Sequence, residues 1–224
     1  MEAKLSIGKV IAGSIAIVID RWPQLVRALA ILFVISVVIG WMPVDPQNPL
    51  LTGILLGIQL PVHTLFAITT HRVVLMGEGA VPRWGIGGWG RREISFILHL
   101  LGLTFAAMFL MALGLVLPPP LAVLVAIGIA VVFSSLSLVF PAIAVGDELD
   151  VAGAWNLAEG YRLLMVVAVC LFPFVLVLMF ALLGFLVPQA IYLIAPVFQG
   201  LMTIFAVTAL SVAYAEIRRV KGYH

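Results

Sequence analysis

The fold class this chain predicts is an all-α polytopic membrane bundle: six transmembrane helices arranged as three hairpins, with short interfacial helices. Three observations predict it. Apolar residues make up 64% of the 224 positions and charged ones only 10%, against about 25% charged in soluble domains. Two stretches, Ile94–Gly146 and Leu163–Ala215, each run 53 residues without Asp, Glu, Lys or Arg. At about 1.5 Å per residue either stretch reaches roughly 80 Å, enough for two crossings and a tight turn. Finally, all twelve Lys and Arg fall at the two termini or in connecting segments.

A span needs about 20 apolar residues to cross a hydrocarbon core about 30 Å thick. On that criterion the spans run over about 28–42, 50–70, 94–117, 121–145, 163–187 and 190–215. The first is the shortest, and its boundary is free to extend back past Arg27. Prolines mark the turn inside each hairpin, because proline lacks the N–H that a continuing helix needs and restricts the residue before it. Asp45, Pro46 and Pro49 make the first turn, Pro118, Pro119 and Pro120 the second, and Pro188 the third. The hairpins are read either as a threefold repeat or as plain hairpin insertion, since charge gaps and prolines align across them but no residue motif does.

These spans fill most of the chain, which is read as one integral domain over 1–224, so its chemistry belongs in or at the membrane. The formal charge of +2 is spread by topology and forms no nucleic-acid patch. Cys170 is the single cysteine, so a disulfide framework and a cysteine-based metal site are both excluded. Asp20 and Arg21 stand where a signal peptide would need small residues, so the N-terminus is expected to be retained. Basic residues gather in the N-terminal segment, in the connection after the second span, at Arg162 and in the tail, while the other three connections have none. By the positive-inside rule both termini are expected in the cytoplasm.

Three segments read as interfacial. Within residues 1–22, Ile7, Val10, Ile11, Ile15, Val18 and Trp22 recur at helical spacing, as in a helix lying on a membrane; a partner-binding helix is the rival reading. The connection Gly77–Glu93 is glycine-rich and carries Arg83, Trp84, Trp89, Arg91 and Arg92. Trp at headgroup level beside Arg is the chemistry of a membrane-surface loop, and these residues, with Trp155, are the candidate contacts for lipid, anionic lipid included, or for a partner. Its Gly-x-Gly-Gly-x-Gly run follows no strand, so a phosphate cradle is a weak match. In the connection from Asp147 to Arg162, acidic residues suit a helix N-terminus, Val151, Ala154, Trp155 and Ala158 share a face, and Gly160 offers a break, which predicts a short helix lying on the membrane.

The run Phe140-Pro141-Ala142-Ile143-Ala144, followed by the acidic turn, Ala154-Trp155-Asn156-Leu157, Gly160 and Arg162, resembles the elbow of a broad class of uncharacterised six-helix bacterial inner-membrane proteins. That class is similar in turn to the membrane domain fused to some bacterial glycerophosphodiester phosphodiesterases. Ile7-Gly8-Lys9 leading to Asp20-Arg21-Trp22 resembles the opening of the same proteins. The likeness implies a six-helix bundle with internal termini in a bacterial inner membrane. It carries over no catalytic residue, because the phosphodiesterase domain is absent from this sequence.

Ionisable groups at membrane depth mark functional sites by default, and histidine is the only such residue expected there. His63 lies mid-span, with Gln59 one turn before it and Pro61 between them. It reads as a histidine satisfied against a neighbouring helix, or as part of a ligand site or proton relay. His71 and His99 lie nearer the cytoplasm, and the three histidines allow a third reading as haem or metal ligands, for which no spacing signature exists. Ser134, Ser135 and Ser137 read as close packing through small residues. Gln189, Gln199 and Thr203 either line a polar cavity with Gln59 and His63 or act as scattered hydrogen-bond partners.

No paired carboxylates, nucleophile–base pair or metal cluster is legible. The expected function is therefore non-enzymatic, with no cofactor and no metal. The chain is read as an accessory, assembly or stabilising factor of a larger membrane complex or of lipid organisation, as a subunit or a homo-oligomer. A small transporter with a midplane site at His63 is the alternative. A wide polar cavity would favour transport, and a filled bundle with an apolar outer groove would favour association.

Overall fold

Prolines stand in the first turns of most of the long helices, with an asparagine cap at one of them. In the computed structural model, which describes residues 5–42, 48–77, 79–82, 84 and 87–222, Asn48 caps the second long helix by accepting the Leu51 N–H at 3.0 Å, and Pro49 occupies its first turn. Proline is tolerated there because that turn's N–H groups have no intrahelical partner. The described helices are α1 (Ile7–Asp20), α2 (Trp22–Trp41), α3 (Pro49–Met76), α4 (Arg91–Leu115), α5 (Pro119–Leu136), α6 (Val139–Val145), α7 (Val151–Leu157), α8 (Arg162–Val166), α9 (Phe172–Leu186) and α10 (Pro188–Val220). A π-helical turn, Val167–Leu171, joins α8 to α9.

Among the described residues six spans are long and apolar enough to cross a membrane: Trp22–Trp41, Pro49–Met76, Arg91–Leu115, Pro119–Val145, Arg162–Leu186 and Gln189–Val220. This is a multi-pass, all-α membrane bundle. The six agree with the predicted spans in number and order, but several are longer. The first starts at Trp22 rather than 28 and takes in Arg27, the second runs on through His71 and Arg72, and the sixth continues to Val220. Charged residues end an apolar count, yet they do not end a helix whose last turns stand in the interface with long cationic side chains. The second and third hairpin turns fall at Pro118–Pro119 and at Val187–Pro188 as expected. Asp45 and Pro46 of the first turn lie outside the described residues.

Breaks within the spans have local causes. Between α5 and α6 the hydroxyl of Ser135 donates to the Val131 carbonyl at 2.7 Å and that of Ser137 to the Ser134 carbonyl at 2.6 Å. Such back-bonding bends helices, and Pro141 withholds the N–H that would have bound Ser137. The three serines, read from sequence as packing residues, are buried and also mark this break. At the π turn the Phe172 N–H donates to Val167, five residues back, one position before Pro173. Chain reversals after α6 and α7 use Gly146 (φ +86°) and Gly160 (φ +84°), left-handed positions that favour glycine.

Helix α10 is the hub, packing on α1, α2, α3 and α9, while α3 packs on α2, α4 and α6. The first helix differs from the predicted surface helix in its packing. Val10, Ser14 and Val18 are buried against the bundle, while Ala12, Ile15, Ala16 and Ile19 are exposed. Helix α7 forms as predicted, capped by Asp150 Oδ1 on the Gly153 N–H at 2.6 Å. Its Ala154 and Leu157, with Ala158, are buried in the main core, while Val151 stays exposed. Small alanines allow that close approach. The core is concentrated at the end of the bundle that holds α1, α7 and the end of α10, here called the basic face. Helix α9 has no buried residue, and α5 buries only Ser134 and Ser135.

Candidate functional site

Two polar assemblies stand out, one midway along the spans and one at the basic face. The first is a cleft between α2, α3 and α10 lined by Ser36, His63, Phe66, Pro196, Gln199, Gly200 and Thr203. His63 lies about 20 Å from either end of α3 at 1.5 Å per residue. One ring nitrogen of His63, Nε2, lies 3.2 Å from Gln59 Nε2, one turn away on the same helix, so the imidazole nitrogen accepts from the amide. Thr203 donates to the Gln199 carbonyl at 2.9 Å. Gln199 is exposed at the rim, and Ser36 Oγ is buried without a hydrogen-bond partner among the described residues. The cleft encloses about 10 Å³, room for about one water molecule.

Close helix approach makes the cleft narrow. A Cβ at Gly200 would stand 2.5 Å from the Phe33 ring, and one at Gly40 would stand 2.8 Å from Pro196. Pro196 withholds an N–H from the Tyr192 carbonyl, and beside it Trp41 Nε1 donates to the Leu193 carbonyl at 3.1 Å. The sequence-derived set is thus partly assembled. His63, Gln59, Gln199 and Thr203 come together, whereas Gln189 lies about 15 Å away along α10. Ser36 was missed, because one serine in an apolar run carries no signal of its own.

His71 and His99 do not join that cleft. His71 is 1% exposed, and its Nδ1 lies 2.7 Å from Ser211 Oγ. The Ser211 proton goes to the Val207 carbonyl at 2.8 Å, so the serine oxygen accepts from His71 Nδ1–H. His99 Nδ1 donates to the Ser95 carbonyl of its own helix at 2.8 Å. Each imidazole therefore serves a different helix contact, and among the described residues no three His, Cys, Asp or Glu side chains gather as metal ligands would.

The second assembly closes the basic face. Asp147 accepts from the Tyr214 hydroxyl at 2.5 Å and from Arg218, while Arg218 also donates to Tyr214 at 2.9 Å. Lys221 donates to the Asn156 carbonyl at 2.8 Å. These contacts border a surface pocket of about 360 Å³ that Glu148 and Asn156 also line. Two further arginines cap helix ends: Arg21 donates to Val73 and Val74 at 2.5 and 3.1 Å, and Arg72 reaches Ala80 and Ala144. Tyr214→Phe removes one hydroxyl from the Asp147 network and leaves its ion pair. It is expected to lower stability by about 1 kcal/mol, measured by thermal unfolding in detergent.

The surface candidates divide. Trp84, Trp89 and Arg91 are exposed. Arg92 instead turns onto Glu93 at 3.0 Å, and Glu93 caps α4 by accepting the Gly90 N–H at 2.9 Å. Trp155 lies under the Arg162 guanidinium, 3.9 Å from ring centroid to Cζ, a cation–π contact inside the protein. Arg83 lies outside the described residues. No family model, curated protein or solved structure matches this chain.

Proposed function

We propose that this protein works by association within the bilayer, as an accessory, assembly or stabilising factor of a membrane complex or of lipid organisation, without turning over a substrate. One contrast carries the reading. The midplane polar cleft encloses about 10 Å³, far below the roughly 300 Å³ at which ligand sites begin. By comparison, a groove of about 580 Å³ lined by Leu103, Ala107, Met111, Ala126, Phe133, Cys170 and their neighbours opens on the face of α4 and α5 and is apolar. The Lys and Arg of the basic face support a cytoplasmic setting for both termini, and the likeness at Phe140–Ala144 supports a bacterial inner membrane. Exposed Trp84, Trp89 and Arg91 fit contact with anionic headgroups.

The specific observation that favours a small permease instead is the Gln59–His63 pair beside the Pro196 kink. Purification from native membranes in mild detergent, with mass spectrometry of everything retained, separates the two. A stoichiometric protein partner or retained lipid is the expected result. A lone protein whose reconstituted vesicles take up a solute, with uptake lost in His63→Ala, would replace association by transport.

A further inference from the structure

We propose that two copies of this chain pair through the open face of α10, with Gln199 of one copy hydrogen bonded to Gln199 of the other across a two-fold axis. The proposal rests on the association reading and names its partner. Gln199 is exposed about 15 Å from the start of α10, at a depth where lipid offers neither donor nor acceptor. A glutamine stem is too short to reach a headgroup from there. From inside, the cleft offers little: His63 Nε2 is engaged by Gln59, which leaves the Ser36 hydroxyl and room for about one water to serve an amide that is itself exposed. What covers the exposed side of Gln199 from outside therefore has to span the membrane and bring a donor and an acceptor to that depth.

A second copy inserted in the same orientation meets both conditions. It presents the same residue at the same depth, and an amide is donor and acceptor at once, so the pair is reciprocal across a two-fold. The surface around Gln199 suits a close crossing. Phe198 turns aside to stack on Phe180 of α9 at 4.1 Å, and Gly200 turns aside to Phe33 of α2. Between them Tyr192, Ala195, Gln199, Met202 and Ala206 form one stripe at helical spacing, none of them buried. Small residues beside a polar one are how membrane helices approach and bond.

The test places one thiol on the stripe and leaves Gln199 intact: Met202→Cys in a Cys170→Ser background, oxidised in native membranes and run on a non-reducing gel. A covalent dimer is expected, and Phe185→Cys on α9 is expected to give none. Adding Gln199→Leu to Met202→Cys should lower the cross-linked fraction at limiting expression about tenfold, with the thermal unfolding of the protomer unchanged. Equal cross-linking at both positions, or no loss on Gln199→Leu, would overturn the proposal. A photoreactive maleimide on the Met202→Cys thiol distinguishes the two levels of failure. Capture of a different protein ends the self-pairing proposal and leaves association standing. Capture of lipid alone by a protein that purifies alone, monomeric and with no retained lipid ends both.

Discussion

Arg72→Leu is expected to cost about 2–4 kcal/mol of stability, on the basis that a hydrogen bond to a charged group contributes roughly 1.5–3 kcal/mol and that its carbonyl partners are left unsatisfied. The guanidinium donates twice to the Ala80 carbonyl, at 2.9 and 2.6 Å, and once to Ala144 at 3.1 Å. The last four carbonyls of any helix lack an intrahelical donor. In α6 those of Ala142 and Ile143 are taken by Gly146 and Asp147 N–H groups, and Ala144 depends on Arg72. One side chain thus ties the end of α3 to the end of α6 and to the connection that leads to α4. Arg72→Lys keeps the charge but not the planar fork, so it is expected to fall between the two. Reversible unfolding in bicelles measures the difference, and equal stability of Lys and wild type would show that charge alone, not the three-way geometry, does the tying.

That arginine also shows where sequence reading stops. Span number, order and two of the hairpin turns were legible, because apolar length and proline chemistry are local properties that tertiary packing seldom overrides in a membrane. Span ends were not: Arg27, Arg72 and Arg218 stop an apolar count while the helices run on through them. The charges of Arg21, Arg72 and Arg218 were read only as topology, and the structure spends them on carbonyls and on Asp147. The midplane residues His63, Gln59, Gln199 and Thr203 were visible as unusual types at membrane depth. Their convergence with Ser36 depends on how α2 crosses α10, a long-range property with no periodic signature. Likewise, Val10 and Ile15 share an apolar pattern on α1, and only the position of α10 decides that the first is buried and the second exposed.

The α2–α10 crossing yields the second large effect. Gly200→Leu is expected to destabilise the protein by about 1–3 kcal/mol, the usual cost of forcing extra volume into a filled contact. Even the first added carbon would stand 2.5 Å from Phe33 Cε2 and 2.9 Å from Cδ2, so the ring or the helix has to move. Lipid is as apolar as the residue introduced, so no gain in burial offsets the clash. Gly128 on α5 supplies the comparison: nothing stands within 4 Å of a Cβ there, and Gly128→Leu is expected to leave stability within about 0.5 kcal/mol, or to raise it through helix propensity. Because Ser36, Pro196 and Gly200 share the cleft, separating α2 from α10 also opens it. Gly200→Leu should therefore make an otherwise protected thiol, introduced as Ser36→Cys, react faster with a small maleimide, while Gly128→Leu leaves that rate unchanged. Loss of stability without faster labelling would mean that Phe33 swings aside and the helices stay in contact.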